Sequence, residues 1–300
     1  MMATRQSGTI DEAPELSRPA SPLSYDLFDY AVALSVPDPA ARSIVARIFA
    51  DFDPLPPTPS APAITYALTR ADDATWEVTA SGAVSYRSPR LMDAVIALEW
   101  VIVSEMLTAR RDLFHLHAAA LMSPARTATA LIAGESGSGK TTLTLGLMAR
   151  GFLPYSDDVT LITPDTGDPL PFRRAFHIDT KTQSLLRSLP SPPNWDFAAA
   201  PTGYFLVPHW ADAPCPIRTV LFPTLTPGAE PRLTPLSLAD AVARLLPLSV
   251  TLEHSPALAL RMAARIVEQA RCYALTAGDF AATLDCVIEQ LLRDSAAGRP

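Results

Sequence analysis

The chain has 300 residues, 48% hydrophobic and 18% charged, with a formal net charge of -7. That length and apolar content suffice for one large domain or two modest ones, each with its own core. The acidic balance, with its basic residues scattered, gives no electrostatic case for a nucleic-acid partner. Cys215, Cys272 and Cys286 form no C-x-x-C pair and have no histidine at metal-ligand spacing, so they read as ordinary buried thiols. The first residues lack the apolar stretch of a secretory signal, and no run approaches bilayer length, so a cytoplasmic protein with no membrane partner is expected.

Residues 1–24, rich in Ser, Pro, Thr and acids, are expected to be disordered. A small α+β unit over 25–112 follows, with a strand at Tyr25 to Val36 and a proline-initiated helix at Pro39 to Phe52. After the proline-dense loop 53–62 come strands at Ile64 to Thr69, Trp76 to Ala80 and Ala83 to Tyr86. A helix over Leu91 to Arg110 closes the unit; it contains the longest apolar segment, Ala94 to Val103, interrupted by Glu99. With no cluster of chemistry-bearing residues, this unit reads as a packing or homo-oligomerisation module.

From 113 to 296 the pattern is that of a second, larger α/β domain. Phe114 to Met122 and Thr127 to Ala133 read as strands joined by Ser123 to Arg126, a connection short enough to force them antiparallel. Further strands are expected near Val159 to Ile162, Tyr204 to Val207, Ile217 to Thr224 and Cys272 to Leu275. Helices are expected near Thr180 to Leu189, Leu238 to Leu246, Pro256 to Ala270 and Asp279 to Arg293.

Within this region Gly134-Glu135-Ser136-Gly137-Ser138-Gly139-Lys140-Thr141 fits the phosphate-loop pattern G-x-x-x-x-G-K-[ST] at every fixed position. It lies between a buried strand ending at Ala133 and an amphipathic helix over Thr142 to Arg150. Glycines let the backbone curl so that its N–H groups converge on phosphate oxygens, and the helix N-terminus adds partial positive charge. Lys140 is placed to reach the outer phosphates of ATP, and Thr141 to offer its hydroxyl to Mg2+; Thr142 completes the cofactor-binding run. The helix then reverses after roughly 15 Å, which can return Asp157-Asp158 to the phosphates. One acid can hold the metal, and the other can take a proton from an attacking hydroxyl.

The stretch GESGSGKTTLTLGLMARGFLPYSDDVTLI resembles the catalytic core of HPr serine kinase/phosphorylase and its relatives. These pair the same loop with an arginine-glycine turn and an Asp-Asp pair. LPFRRAF at 170–176 and CYALTAGDF at 272–280 extend the resemblance more loosely. It implies a mixed-sheet P-loop kinase domain of the phosphoenolpyruvate carboxykinase type. It also implies Asp157 as base, Asp158 with Thr141 as metal ligands, and His117 with Lys140 beside the phosphates. Lys140-Thr141-Thr142 stands where the HPr enzymes have Lys-Ser-Glu, and their E-I-R-G-L-G segment has no counterpart. A kinase without phosphorylase activity is therefore expected, acting on a serine hydroxyl in a protein, a peptide or free serine.

Arg173 and Arg174 are candidates to offset transition-state charge. His115 is expected to face away from His117, and His177, His209 and His254 show no partner in the sequence. The alternative reading is a nucleotide-binding regulator or peptide-delivery protein that transfers nothing; a transport or motor ATPase is disfavoured by the lack of an LSGGQ-type signature. Lys140→Ala should abolish ATP binding measured by calorimetry, because no other side chain puts a cation inside the glycine cradle; undiminished affinity would contradict the phosphate-loop reading.

Overall fold

The computed structural model describes residues 21–55, 63–198 and 200–297. The expected disorder of 1–24 therefore falls outside the described residues except at its end, where Leu23 and Ser24 are already in a strand. Of the proline-dense loop, 56–62 lies outside them too. The first sheet contains β1 (Leu23–Leu27), β2 (Tyr30–Ser35), β3 (Asp53–Pro54), β4 (Ile64–Arg70), β5 (Trp76–Ala80) and β6 (Ala83–Ser88) in the order β3-β1-β2-β4-β5-β6. Only the β2–β4 pair is parallel. What reads as one strand over Tyr25 to Val36 is a hairpin, because Phe28 and Asp29 take left-handed φ values of 57° and 63° and reverse the chain.

Helix α1 (Pro39–Ile48) starts where Asp38 accepts a hydrogen bond from the Ala41 N–H at 2.8 Å, with Pro39 in its first turn. It ends sooner than the pattern suggests. The long helix α2 (Leu91–Ala109) buries Ala94, Val95, Leu98, Ile102, Val103 and Met106 against alternating sheet residues such as Val32, Leu34, Leu68 and Val78. Glu99 is buried among them.

The remaining chain builds a mixed six-stranded sheet in the order β10-β8-β9-β15-β17-β16. Its members are β8 (Ala118–Met122), β9 (Thr129–Ala133), β10 (Leu153–Ser156), β15 (Ile217–Leu225), β16 (Arg232–Pro235) and β17 (Arg271–Ala277). As expected from the short connection, β8 and β9 are antiparallel, with Ala120 opposite Leu131. Strand β15 runs parallel to both β9 and β17. Period-two alternation gives the sheet two apolar faces. Leu131, Ala133, Val220 and Phe222 face α5 (Leu238–Leu245) and α6 (Pro256–Gln269). Ile132, Leu221, Tyr273 and Leu275 face α3 (Lys140–Met148), α4 (Thr180–Arg187) and α7 (Phe280–Ala297). The architecture is thus mixed α/β, a sheet between two helical layers beside a second sheet with its own helices.

The expected strand over Phe114 to Met122 breaks at His117. Its first part, β7 (Phe114–Leu116), pairs with β11 (Thr160–Ile162), which also pairs with β12 (Pro169–Leu170). The His117 N–H instead bonds the Leu248 carbonyl at 2.8 Å. A short pair, β13 (Phe176–His177) with β14 (Tyr204–Phe205), lies nearby. Leu161 of β11, Tyr204 of β14, and Phe172 and Ala175 between strands pack into the apolar core under α2, so segments from the second half of the chain share that core. No helix among the described residues is long and apolar enough to cross a membrane. Cys215 and Cys272 are buried free thiols, whereas Cys286 is only half-buried.

The end of β15 packs on the glycine loop, and the turn after it depends on one close backbone approach. A Cβ on Gly139 would stand 3.3 Å from Leu225, and one on Gly278 would stand 1.8 Å from the Ala229 carbonyl oxygen. No rotamer change relieves the second contact, because both partners are backbone. Gly278→Ala should lower stability by about 1–3 kcal/mol in urea unfolding; an unchanged midpoint would contradict that packing.

Candidate active site

The chain leaves β9 at Ala133, turns through 134–139, and enters α3 at Lys140, two residues before the position expected from the sequence. Gly137 and Gly139 take φ values of 81° and 89°, the left-handed region a side chain disfavours. A Cβ on Gly134 would lie 2.7 Å from Ser138 Oγ, so a side chain there would force that hydroxyl to move. This curl points loop carbonyls at the lysine. Lys140 Nζ donates to Gly134 O at 2.8 Å and to Glu135 O at 3.1 Å, and its third hydrogen bond, at 2.9 Å, is to His117 Nε2.

An ammonium has donors only, so His117 Nε2 accepts. The ring proton is thereby assigned to Nδ1, which faces Asp158 Oδ1 at 3.4 Å. Lys140 Nζ is itself 3.8 Å from the same carboxylate oxygen. Burial lowers the pKa of His117, with Asp158 opposing and Lys140 reinforcing the shift. Burial also lowers that of Lys140, against the pull of Asp158 and Asp157.

The Asp pair follows β10 directly. Asp157, 4% exposed, accepts a hydrogen bond from Thr141 Oγ1 at 2.9 Å. Burial pushes its carboxyl up to about 6; Arg174 opposes the shift and Asp158 adds to it. Arg174 Nη2 lies 3.8 Å from Asp157 Oδ1 and 3.7 Å from Asp158 Oδ2. Its Nε lies 3.6 Å from Glu99 Oε1. Glu99, 1% exposed, also accepts at Oε2 from His177 Nε2 at 2.9 Å and from the Tyr204 hydroxyl at 2.7 Å. Burial raises the Glu99 pKa, but His177, Arg174 and Tyr204 together outweigh it and hold the carboxyl below its usual range.

Lys140, Thr141, His117, Asp157, Asp158 and Arg174 therefore converge. Thr142 turns away to bond Thr182 at 2.9 Å, and Arg173 pairs with Asp53 at 3.6 Å. His115 does not face away from His117 as expected. Residues two apart on a strand share a face, and both rings line one cavity. His115 bonds the Arg110 carbonyl through Nε2 at 2.9 Å, and burial pushes its pKa down to about 4. His177, read as partnerless, has Glu99; His254 lines the cavity, while His209 lies outside it. Glu99 itself was not among the expected site residues. Its one signal in the sequence is a lone acid inside the longest apolar segment.

The cavity measures about 860 Å³ and reaches from Ser136 and Thr141 past the Asp pair to an apolar wall of α2 formed by Ile96, Trp100, Val103 and Leu107. Among the described residues no cluster of three or more His, Cys, Asp or Glu could hold a metal alone. The oxygen set of Thr141, Asp157 and Asp158 fits Mg2+, which takes one or two carboxylates and completes its shell with phosphates and water. No protein-family model matches this sequence, and no curated protein matches it either.

In metal-free protein the Asp157 carboxyl binds its proton more tightly folded than unfolded. Its contribution to stability is then fully present below the unfolded value near 4 and is lost as pH rises through about 6. Urea unfolding with chelator present should show this decline in the wild type and its absence in Asp157→Asn. Parallel pH profiles for the two proteins would contradict the buried-carboxyl assignment.

Proposed function

We propose that the chain is an ATP- and Mg2+-dependent kinase of the HPr serine kinase type that phosphorylates a serine-type hydroxyl. The observation that carries this reading is the convergence of Lys140, His117, Asp158, Thr141 and Asp157 beside the glycine loop. The antiparallel hairpin leading into the loop supports a P-loop domain of the phosphoenolpyruvate carboxykinase type.

Loop N–H groups bind the phosphates, and Lys140 exchanges its two loop carbonyls for phosphate oxygens. Mg2+ bound there would screen phosphate charge. Asp157, joined to the Thr141 hydroxyl, is the acid better placed as its ligand. That exchanges the two roles implied by the resemblance. Asp158 opens on the cavity, where it can take the proton of the acceptor hydroxyl as that oxygen bonds to the γ-phosphorus and ADP leaves. His117 Nδ1–H orients it. Arg174 offsets charge on the transferring group. The acceptor would enter along α2, where Trp100, 65% exposed, offers an apolar contact.

The test is transfer of label from γ-labelled ATP to free serine or to proteins of a lysate. Asp158→Asn should keep nucleotide affinity and lose transfer ~100-fold to 10,000-fold, whereas Asp157→Asn should chiefly weaken the Mg2+ dependence of nucleotide binding. Equal transfer by wild type and Asp158→Asn would overturn the mechanism. Nucleotide binding with no labelled acceptor from either source would favour the regulator reading instead.

A further inference from the structure

A carboxylate buried in the apolar face of a helix is strongly unfavourable unless it is paired. Glu99 is the one charged residue among the buried positions of α2, and each of its oxygens meets a cationic or donor group from the second half of the chain. Through Oε1 it faces Nε of Arg174, whose opposite edge faces both Asp157 and Asp158. Glu99, Arg174, the Asp pair and the loop residues Ser136 and Thr141 all line the same cavity. The Glu99–Arg174 contact is an ion pair without a hydrogen bond, and Glu99 Oε1 has no other hydrogen-bond partner among the described residues, so the buried charge itself draws the guanidinium to that side; a guanidinium without that counter-charge can tilt away from the acids.

We propose that Glu99 is a positioning residue, holding Arg174 against the Asp pair so that a helix of the first sheet completes the phosphoryl-transfer site of the second. The inference rests on the kinase reading for its effect on rate, and on geometry alone for its effect on Arg174. Glu99→Gln retains size and an acceptor oxygen and removes the charge.

The experiment uses the full chain labelled at arginine nitrogen. In the wild type the Arg174 Nε–H should be protected from solvent exchange, and in Glu99→Gln that protection should fall at least 10-fold. With a verified acceptor, kcat should fall ~10–100-fold, as for other supporting residues, with KM for nucleotide within about threefold, since the loop supplies that binding. Tyr204→Phe removes another hydrogen bond to Glu99 but spares Arg174, so it should lower the melting temperature and leave kcat within about threefold. Arg174→Lys, charged but unable to engage Glu99 and the acids together, should reproduce the kcat loss even where Glu99→Gln does not fold. Undiminished protection of Arg174 in Glu99→Gln, or an equal kcat loss in Tyr204→Phe, would overturn the proposal. A wild type that phosphorylates no acceptor would refute the kinase reading, while the exchange measurement would still decide whether Glu99 fixes Arg174.

Discussion

Burial of the Lys140 ammonium is the constraint on which the site depends. At 5% exposure it cannot remain charged without acceptors, and the structure supplies them from three directions. The glycine loop curls so that Gly134 and Glu135 offer carbonyls, the strand breaks at His117 so that its ring reaches in, and Asp158 returns from β10 to add opposite charge. An ammonium at that depth is strongly disfavoured without acceptors, and the curl of the loop supplies two of them from its own backbone. Phosphate oxygens are the natural replacements for those carbonyls, being stronger acceptors in the same cradle.

The neighbouring charges explain why a divalent cation belongs in the account. Lys140 and Arg174 face Asp157, Asp158 and Glu99, and burial raises the proton affinity of Asp157. On the proposed reading a triphosphate would add several negative charges to that set. Two fixed cations already engaged with carboxylates cannot balance it, whereas Mg2+ beside Thr141 and Asp157 would keep both acids ionised and let the phosphates approach.

What was legible in the sequence is what local pattern determines. The glycine loop follows from φ values that glycine permits, the antiparallel hairpin from a connection too short for a crossover, and the Asp pair from the reach of one helix. The turn at Phe28 and Asp29 was not legible because its left-handed backbone carries no glycine to mark it. Which of two adjacent arginines faces inward depends on how 170–176 crosses the sheet edge, and Arg174 rather than Arg173 does so. Glu99 pairs with a residue 75 positions later, a contact set by the packing of Leu161, Phe172, Ala175 and Tyr204 into the core under α2. The order of roles proposed for the Asp pair likewise rests on a tertiary contact, the bond from Thr141 to Asp157.

A site built to stabilise phosphoryl transfer binds a mimic of the transferring group more tightly than it binds product alone. The direct measurement is the affinity for ADP with Mg2+ in the presence and absence of fluoroaluminate, followed by calorimetry, with the fluorine resonances of the bound mimic recorded in parallel. The account predicts at least a ~100-fold gain in ADP affinity and fluorine signals that shift when Arg174 is replaced. Identical ADP affinity with and without fluoroaluminate would contradict a transfer site and leave a loop that only holds nucleotide.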